Sequence, residues 1–334
     1  MYNFVPDINP LGTPLKVKNR IRKAIKSLSS YDEPACKQFL NYLERINNIR
    51  EDHILLGHGS TYLLKNILRV IRAKHVLIPL PIYNRYKILA ERLGFEIMPF
   101  DDGYYFDKNY SLKGLKNASY KAESILIPNP HPVTGKKIDK DLWGALPLLS
   151  MEIKKTIIID ESLIDYTDNP SEANKNTSSD YLLILRTFST FFGLAGIPFG
   201  YAIGSKDVIS SIKDDAKWNC RSITHLAYIA AKTALKDRNF KKRTIEFLKN
   251  EKAYMADKLR PYGALYVMDT GCNFLLIKVD GDEAALRNEL KKRNILIDIY
   301  NIDDGLFIRF PIQKHKYNAY FVKALKHLMD KKVG

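Results

Sequence analysis

Six short runs rich in Ile, Leu and Val constrain this chain more than any other feature: His75 to Leu80, Phe95 to Phe100, Ser124 to Pro128, Thr156 to Asp160, Leu182 to Phe188 and Tyr201 to Gly204. Several are apolar throughout instead of alternating, the pattern of strands buried on both faces of a parallel sheet. Helical patterns lie between them, at Thr61 to Arg72, Asn84 to Leu93 and Lys206 to Lys217. The alternation predicts an α/β fold with a large, doubly wound, mostly parallel sheet domain over residues 31–235. A long amphipathic helix from Asn239 to about Arg260 follows. Beyond it come strand patterns at Ala264 to Met268, Asn273 to Val279, Ile295 to Tyr300 and Leu306 to Phe310, and a last helix from about His315 to Lys331. Residues 236–334, joined by 1–30, predict a smaller α+β domain.

With 334 residues, 46% hydrophobic and 27% charged, the chain can fill one large or two medium cores. No apolar run approaches the roughly 20 residues of a membrane span, and the start, Met1 to Pro14, lacks the pattern of a secretory signal. The three cysteines, Cys36, Cys220 and Cys272, are scattered and form no pair spaced like half a zinc site, so a reducing cytoplasm is the expectation. The formal charge is +16, from 53 Lys+Arg against 37 Asp+Glu. From Lys16 to Leu28 the apolar Val17, Ile21, Ala24, Ile25 and Leu28 share one helical face, with Lys16, Lys18, Arg20, Arg22, Lys23 and Lys26 opposite. Such a face is first a solvated surface. Attraction of anionic ligands or nucleic acid is the other reading, and no aromatic–basic motif supports nucleic acid.

In sheets of this kind ligands sit where strands end and helices begin. Leu55 to Thr61 passes through two glycines into a helix, whose amides would face an anion; glycines there are also plain turn chemistry. Ile127 to Gly135 leaves a strand through a proline-rich loop. Ile157 to Ser162 places an acid at the end of a buried strand, where an unpaired carboxylate is costly. Arg186 to Gly196 leaves another strand with hydroxyls.

In this order the segments resemble the fold-type I pyridoxal-phosphate enzymes of the class I/II aminotransferases, nearest the histidinol-phosphate aminotransferase and threonine-phosphate decarboxylase branch. The resemblance runs from Ile8-Asn9-Pro10-Leu11-Gly12 through Gly57 to Thr61, Pro81 to Tyr86, Asn129 to Gly135, Asp160-Glu161, Arg186 to Tyr201 and Asn273-Phe274 to Arg309. It implies that Gly59, Ser60, Thr61 and the Ser189 hydroxyl cradle the cofactor phosphate, that Tyr86 stacks on the ring, and that Asp160 pairs with the ring nitrogen. Arg309 is implied to grip a substrate carboxylate through paired hydrogen bonds, with Asn9 beside the substrate. Tyr31 is implied to reach the neighbouring subunit's phosphate, which makes the expected assembly a homodimer.

Four positions depart from the pattern. Thr190 stands where the family has the lysine that forms the Schiff base. Pro132 and Leu163 replace an asparagine and a tyrosine that hold the ring oxygen, and Pro198 replaces the arginine that clamps the phosphate. The resemblance therefore implies pyridoxal phosphate held, if at all, noncovalently, and an aminotransferase pocket in which conventional transamination lacks its amine. The alternatives are a non-catalytic binding or regulatory protein on the same fold, taking a small carboxylate or phosphorylated ligand, and a nucleic-acid binder.

Overall fold

The buried runs form strands because Ile, Val and Leu pack well on a pleated surface that helices cover on both sides. The computed structural model describes residues 1–29, 33–101, 110–167, 171, 179–262 and 265–330. After β1 (Tyr2–Asn3), α1 (Leu15–Ala24) and α2 (Glu33–Asn47), a large sheet is built from β2 (Ile54–Gly57), β3 (His75–Pro79), β4 (Glu96–Phe100), β5 (Ser124–Pro128), β6 (Thr156–Asp160), β7 (Leu182–Thr187) and β8 (Gly200–Ile203). Its order is β2-β8-β7-β6-β5-β3-β4. All neighbouring pairs are parallel except those of β8, which runs against both β2 and β7. Ile157, Ile158 and Ile159 are each 0% exposed, so β6 is buried on both faces at the centre of the sheet.

The helices between these strands are α3 (Ser60–Val70), α4 (Asn84–Leu93), α5 (Leu112–Ala118) and α6 (Lys140–Ile153), and α7 (Lys206–Asp215) and α8 (His225–Leu235) follow the last of them. α4 stops at Gly94, whose φ of 74° is the left-handed conformation that closes a helix. α2, α6 and α8 carry no helix expectation from the sequence. α6 contains Pro147, and α8 is Ala-rich and apolar on most sides, with Ala227, Tyr228, Ala230, Ala231 and Ala234 buried. Neither shows the clean polar face that marks an amphipathic helix.

The remainder is α9 (Arg238–Leu259), β9 (Leu265–Asp269), β10 (Phe274–Val279), α10 (Glu283–Lys292), β11 (Ile295–Leu296), β12 (Asp298–Ile302), β13 (Gly305–Pro311) and α11 (His315–Asp330). A four-stranded antiparallel sheet has the order β12-β13-β10-β9. The single strand expected over Ile295 to Tyr300 is two: β11 takes β1 as a parallel partner, and β12 pairs with β13. That break puts Asp298 at the first position of β12.

Two features go beyond the sequence reading. On α1 only Val17 is fully buried, and Ile25 and Leu28 beyond it are 51% and 55% exposed, so the apolar face is only partly covered within one chain. Cys36 and Cys220, 184 residues apart, are joined by a disulfide that ties α2 to the turn at Cys220–Ser222. Sequence spacing is blind to it because the fold alone brings the two segments together. The bond removes the support that scattered thiols gave to a reducing compartment. No helix among the described residues is long and apolar enough to cross a membrane.

Candidate functional site

The parallel strands β5, β6 and β7 end at Pro128, Asp160 and Thr187, and all three residues face a cavity of about 590 Å³. Gly59, Ser60 and Thr61, at the start of α3, line the same cavity. Gly59 has φ +84°, a conformation L side chains rarely adopt, and no side chain caps the first turn of α3. Its amides are thus available to an anion. Gly200 has a steric reason: a Cβ there would lie 2.3 Å from the Arg186 carbonyl oxygen.

Asp160 accepts hydrogen bonds at Oδ1 from the Ser162 amide (2.9 Å) and the Ser162 hydroxyl, and at Oδ2 from the Tyr86 hydroxyl (2.9 Å). Each carboxylate oxygen accepts about two bonds, so Oδ2 retains capacity. Burial, and then the Asp160 charge, hold the Tyr86 phenol well above its ordinary pKa, so it stays a donor. The neighbouring Glu161 turns away from the cavity, to Ser171 and Arg186, and Arg186 also binds Asp165. Burial pushes the Glu161 carboxyl up against the opposing pull of Arg186.

Thr190 lies on the cavity wall, 4% exposed, and donates its hydroxyl to the Ser162 carbonyl (2.7 Å). Among the described residues none that lines the cavity is a lysine, and the basic side chains there are His58 and Arg85, both exposed. Pro132, Leu163 and Pro198 are on the wall too, as is Ser189. The three residues therefore face the same space as Asp160 and α3.

Arg309 is not on the wall. It is fully buried behind it, with Nη2 on Asp7 Oδ1 (2.6 Å), Nε on the Pro132 carbonyl, and its guanidinium 4.1 Å from the Phe274 ring centroid. Asp7 receives a second bond, from the Tyr83 hydroxyl (2.6 Å), whose phenol is held well above its ordinary pKa by burial and by Asp7. Asp7 and Tyr83 line the cavity in front of the guanidinium. Asn9 is likewise off the wall: its amide donates to the Phe191 carbonyl (2.8 Å) and the Thr244 hydroxyl (2.9 Å), which fastens the arm that carries Asp7. Tyr31 falls outside the described residues.

The profile of the family "Aminotransferase class I and II" matches residues 20–303. The chain belongs to that family. Among curated relatives of this family member, the histidinol-phosphate aminotransferase of Methanococcus aeolicus is 28% identical over 351 residues, covering 98% of this chain and 92% of that protein. The solved histidinol-phosphate aminotransferase from Clostridium acetobutylicum superposes with TM-score 0.82 at 29% identity, over 99% of this chain and 100% of the other. The enzyme from Sinorhizobium meliloti, solved with pyridoxal-5'-phosphate, gives TM-score 0.84 at 19% identity, over 99% and 91%. The fold is thus that of the fold-type I aminotransferases.

Sequence reasoning passed over Asp7, Tyr83, Ser162 and Asp298 on this wall. Two left a trace: Asp7 is the one acid in Phe4 to Ile8, and Asp298 interrupts the apolar run Ile295 to Ile299. A lone acid in an apolar stretch is costly to bury and marks a site that compensates it.

Proposed function

We propose that this family member keeps the aminotransferase pocket as a noncovalent binding site for pyridoxal phosphate or a close relative of it, and has lost conventional transamination. Thr190 carries the proposal: the side chain at that position has no amine, its hydroxyl is already bonded to Ser162, and no lysine among the described residues lines the cavity. The retained half of the site fits the cofactor. Asp160 has acceptor capacity left for a protonated ring nitrogen, Gly59 to Thr61 offer an uncapped helix N-terminus to the phosphate with the Ser189 hydroxyl beside it, and Tyr86 flanks Asp160. When bound, the cofactor supplies an electron sink. The chain's own part is to orient the ring and hold its nitrogen protonated through Asp160. Pro132 and Leu163 put no side-chain donor near the ring oxygen, and Pro198 puts no charge near the phosphate. A lost charge-assisted bond of that kind costs about 1.5–3 kcal/mol, or roughly ten- to a hundredfold in affinity. A homodimer with Tyr31 at the boundary belongs to the same proposal.

The test is a titration of the purified protein with pyridoxal phosphate, followed by borohydride reduction and mass measurement. Saturable binding that Asp160→Asn weakens, with no mass gained on reduction, is the expected result. A reduced adduct on a lysine of the native chain, or turnover of any amino acid near 1 per second, overturns the proposal.

A further inference from the structure

Cations are not spread evenly along this chain. Residues 14–29, which include α1, carry six cations and no acid, and residues 232–243, from the end of α8 into α9, carry six and the single acid Asp237. α1 and α2 both pack on α8, so the fold sets these segments side by side, together with Arg45 of α2. The neighbouring acids do not balance them. Asp237 is buried and already engaged by Lys16 (3.1 Å). Glu44, next to Arg45, accepts from the Glu51 amide (2.7 Å), and the Glu51 carboxylate is taken by Lys37.

Four cations are left together. The Arg45 guanidinium and the Lys236 ammonium lie 5.3 and 5.4 Å from the centroid of the Tyr42 ring. Lys232, one turn before Lys236, donates to Gln38 Oε1 on α2 (3.1 Å). Burial, and then the charges of Lys236, Arg20 and Arg45, pull the Lys232 ammonium below its ordinary pKa, so Arg20 of α1 belongs to the same group. Arg20, Arg45 and Lys236 are exposed, and none of the four has an acidic partner among the described residues. Like charges within the screening length of about 8 Å repel, a cost that contact with the Tyr42 ring offsets only in part. An array of anions would return it.

We propose that the surface formed by Arg20, Arg45, Lys232 and Lys236 docks duplex nucleic acid through its backbone phosphates, without reading bases. Cations drawn from three helices match a row of phosphates better than one small anion: a duplex carries a charge about every 1.7 Å of its axis, and the ten residues of α1 span about 15 Å. Tyr42 is half-buried and already engaged by two cations, which disfavours the base stacking that single strands use. A lipid surface would take up apolar side chains projecting between the cations, and the groups between them are Tyr42 and Gln38. No aromatic–basic run announces the surface in the sequence, because its members come from separate segments. None of the four cations lines the cavity, so the surface is independent of the proposed function.

The experiment follows the fluorescence anisotropy of a labelled, mixed-sequence DNA duplex of about 20 base pairs, titrated with the full chain at about 50 and 200 mM NaCl. Four phosphate contacts make the affinity fall about a hundredfold between the two salt concentrations. The combined variant Arg20→Gln, Arg45→Gln, Lys232→Gln and Lys236→Gln binds at least about tenfold more weakly at low salt, and its slope of log affinity against log salt is smaller by about 3 to 4. Removing as many charges at the exposed Lys113, Lys140, Lys291 and Lys323, each to Gln, leaves the affinity within about threefold of the native value. If the first variant does not fold, Arg20→Gln with Lys236→Gln, both at exposed positions, decides with about half the loss of slope. No measurable binding of the duplex, an unchanged slope in the variant, equal weakening by the second set of substitutions, or tighter binding to phosphatidylserine vesicles or to a single strand of the same sequence overturns the proposal.

Discussion

Thr190 and Arg309 show how far a single residue's role depends on its surroundings. Thr190→Lys restores an amine to the wall, yet the groups that would make an imine useful remain absent, since Pro132 and Leu163 offer the ring oxygen no side-chain hydrogen bond. The expected outcome is a reducible attachment of cofactor with turnover far below 1 per second in a half-reaction with a panel of amino acids, and Pro198→Arg added to it improves cofactor retention more than rate. Arg309 behaves differently. Its ion pair with Asp7 is buried, with side-chain exposures of 0% and 3%. Arg309→Ala strands the Asp7 carboxylate, and a loss of about 3–5 kcal/mol in urea unfolding is expected, with Asp7→Ala in the same chain recovering part of it. An arginine whose only role was to meet ligand would leave the unfolding midpoint in place.

At the scale of elements, the loop after β5 is held by a neutral histidine. His131 is 1% exposed; its Nδ1 accepts from the amides of Val133 and Thr134 (3.2 Å each), and its other nitrogen bonds the Pro79 carbonyl. Burial lowers its pKa from 6.5 to about 3. The unfolded chain therefore takes up a proton that the folded chain refuses. The stability this residue contributes is complete above about pH 6.5 and is lost as the pH falls toward 3, at up to about 1.4 kcal/mol per pH unit. His131→Gln flattens that part of the stability–pH curve, as urea midpoints across the window measure directly. The disulfide between α2 and the Cys220 turn gives a second test. Denatured without reductant, the chain exposes one reactive thiol, Cys272, and after reduction three. In the native protein Cys272 stays unlabelled, because burial pushes its thiol up to about 12.

For the molecule as a whole, the exposed apolar surface is uneven. Ile8, Leu11, Leu15, Ile25 and Leu28 are 39%, 37%, 65%, 51% and 55% exposed, all within the N-terminal segment that leads to the cavity. Several exposed apolar side chains in one segment of chain beside a ligand site are what a second subunit would cover. Sedimentation at micromolar concentration is expected to give a dimer, and Leu15→Asp with Leu28→Asp to shift it toward monomer without loss of helix content. A monomer in the native protein removes the proposal. The +16 charge fits neither function nor fold uniquely.

The sequence by itself determined the layered α/β architecture, because strands covered on both faces must be apolar throughout and the helices between them must show a 3.6-residue period. β5, β6 and α4 are legible to the residue on those grounds, whereas Thr190, Pro132, Leu163 and Pro198 stand out only against the pattern that the family resemblance implies. Tertiary structure decided the rest. A run such as Ile295 to Tyr300 cannot announce that it breaks to serve two sheets, since its residue pattern does not name the strands that pair with its two halves. Partner choice is a matter of distance in space: Arg309 meets Asp7, 302 residues away, Cys36 meets Cys220, and Asp298 meets no donor at Oδ2. Periodicity records which residues are buried, while the balance of charge inside a cavity depends on which buried groups are brought face to face.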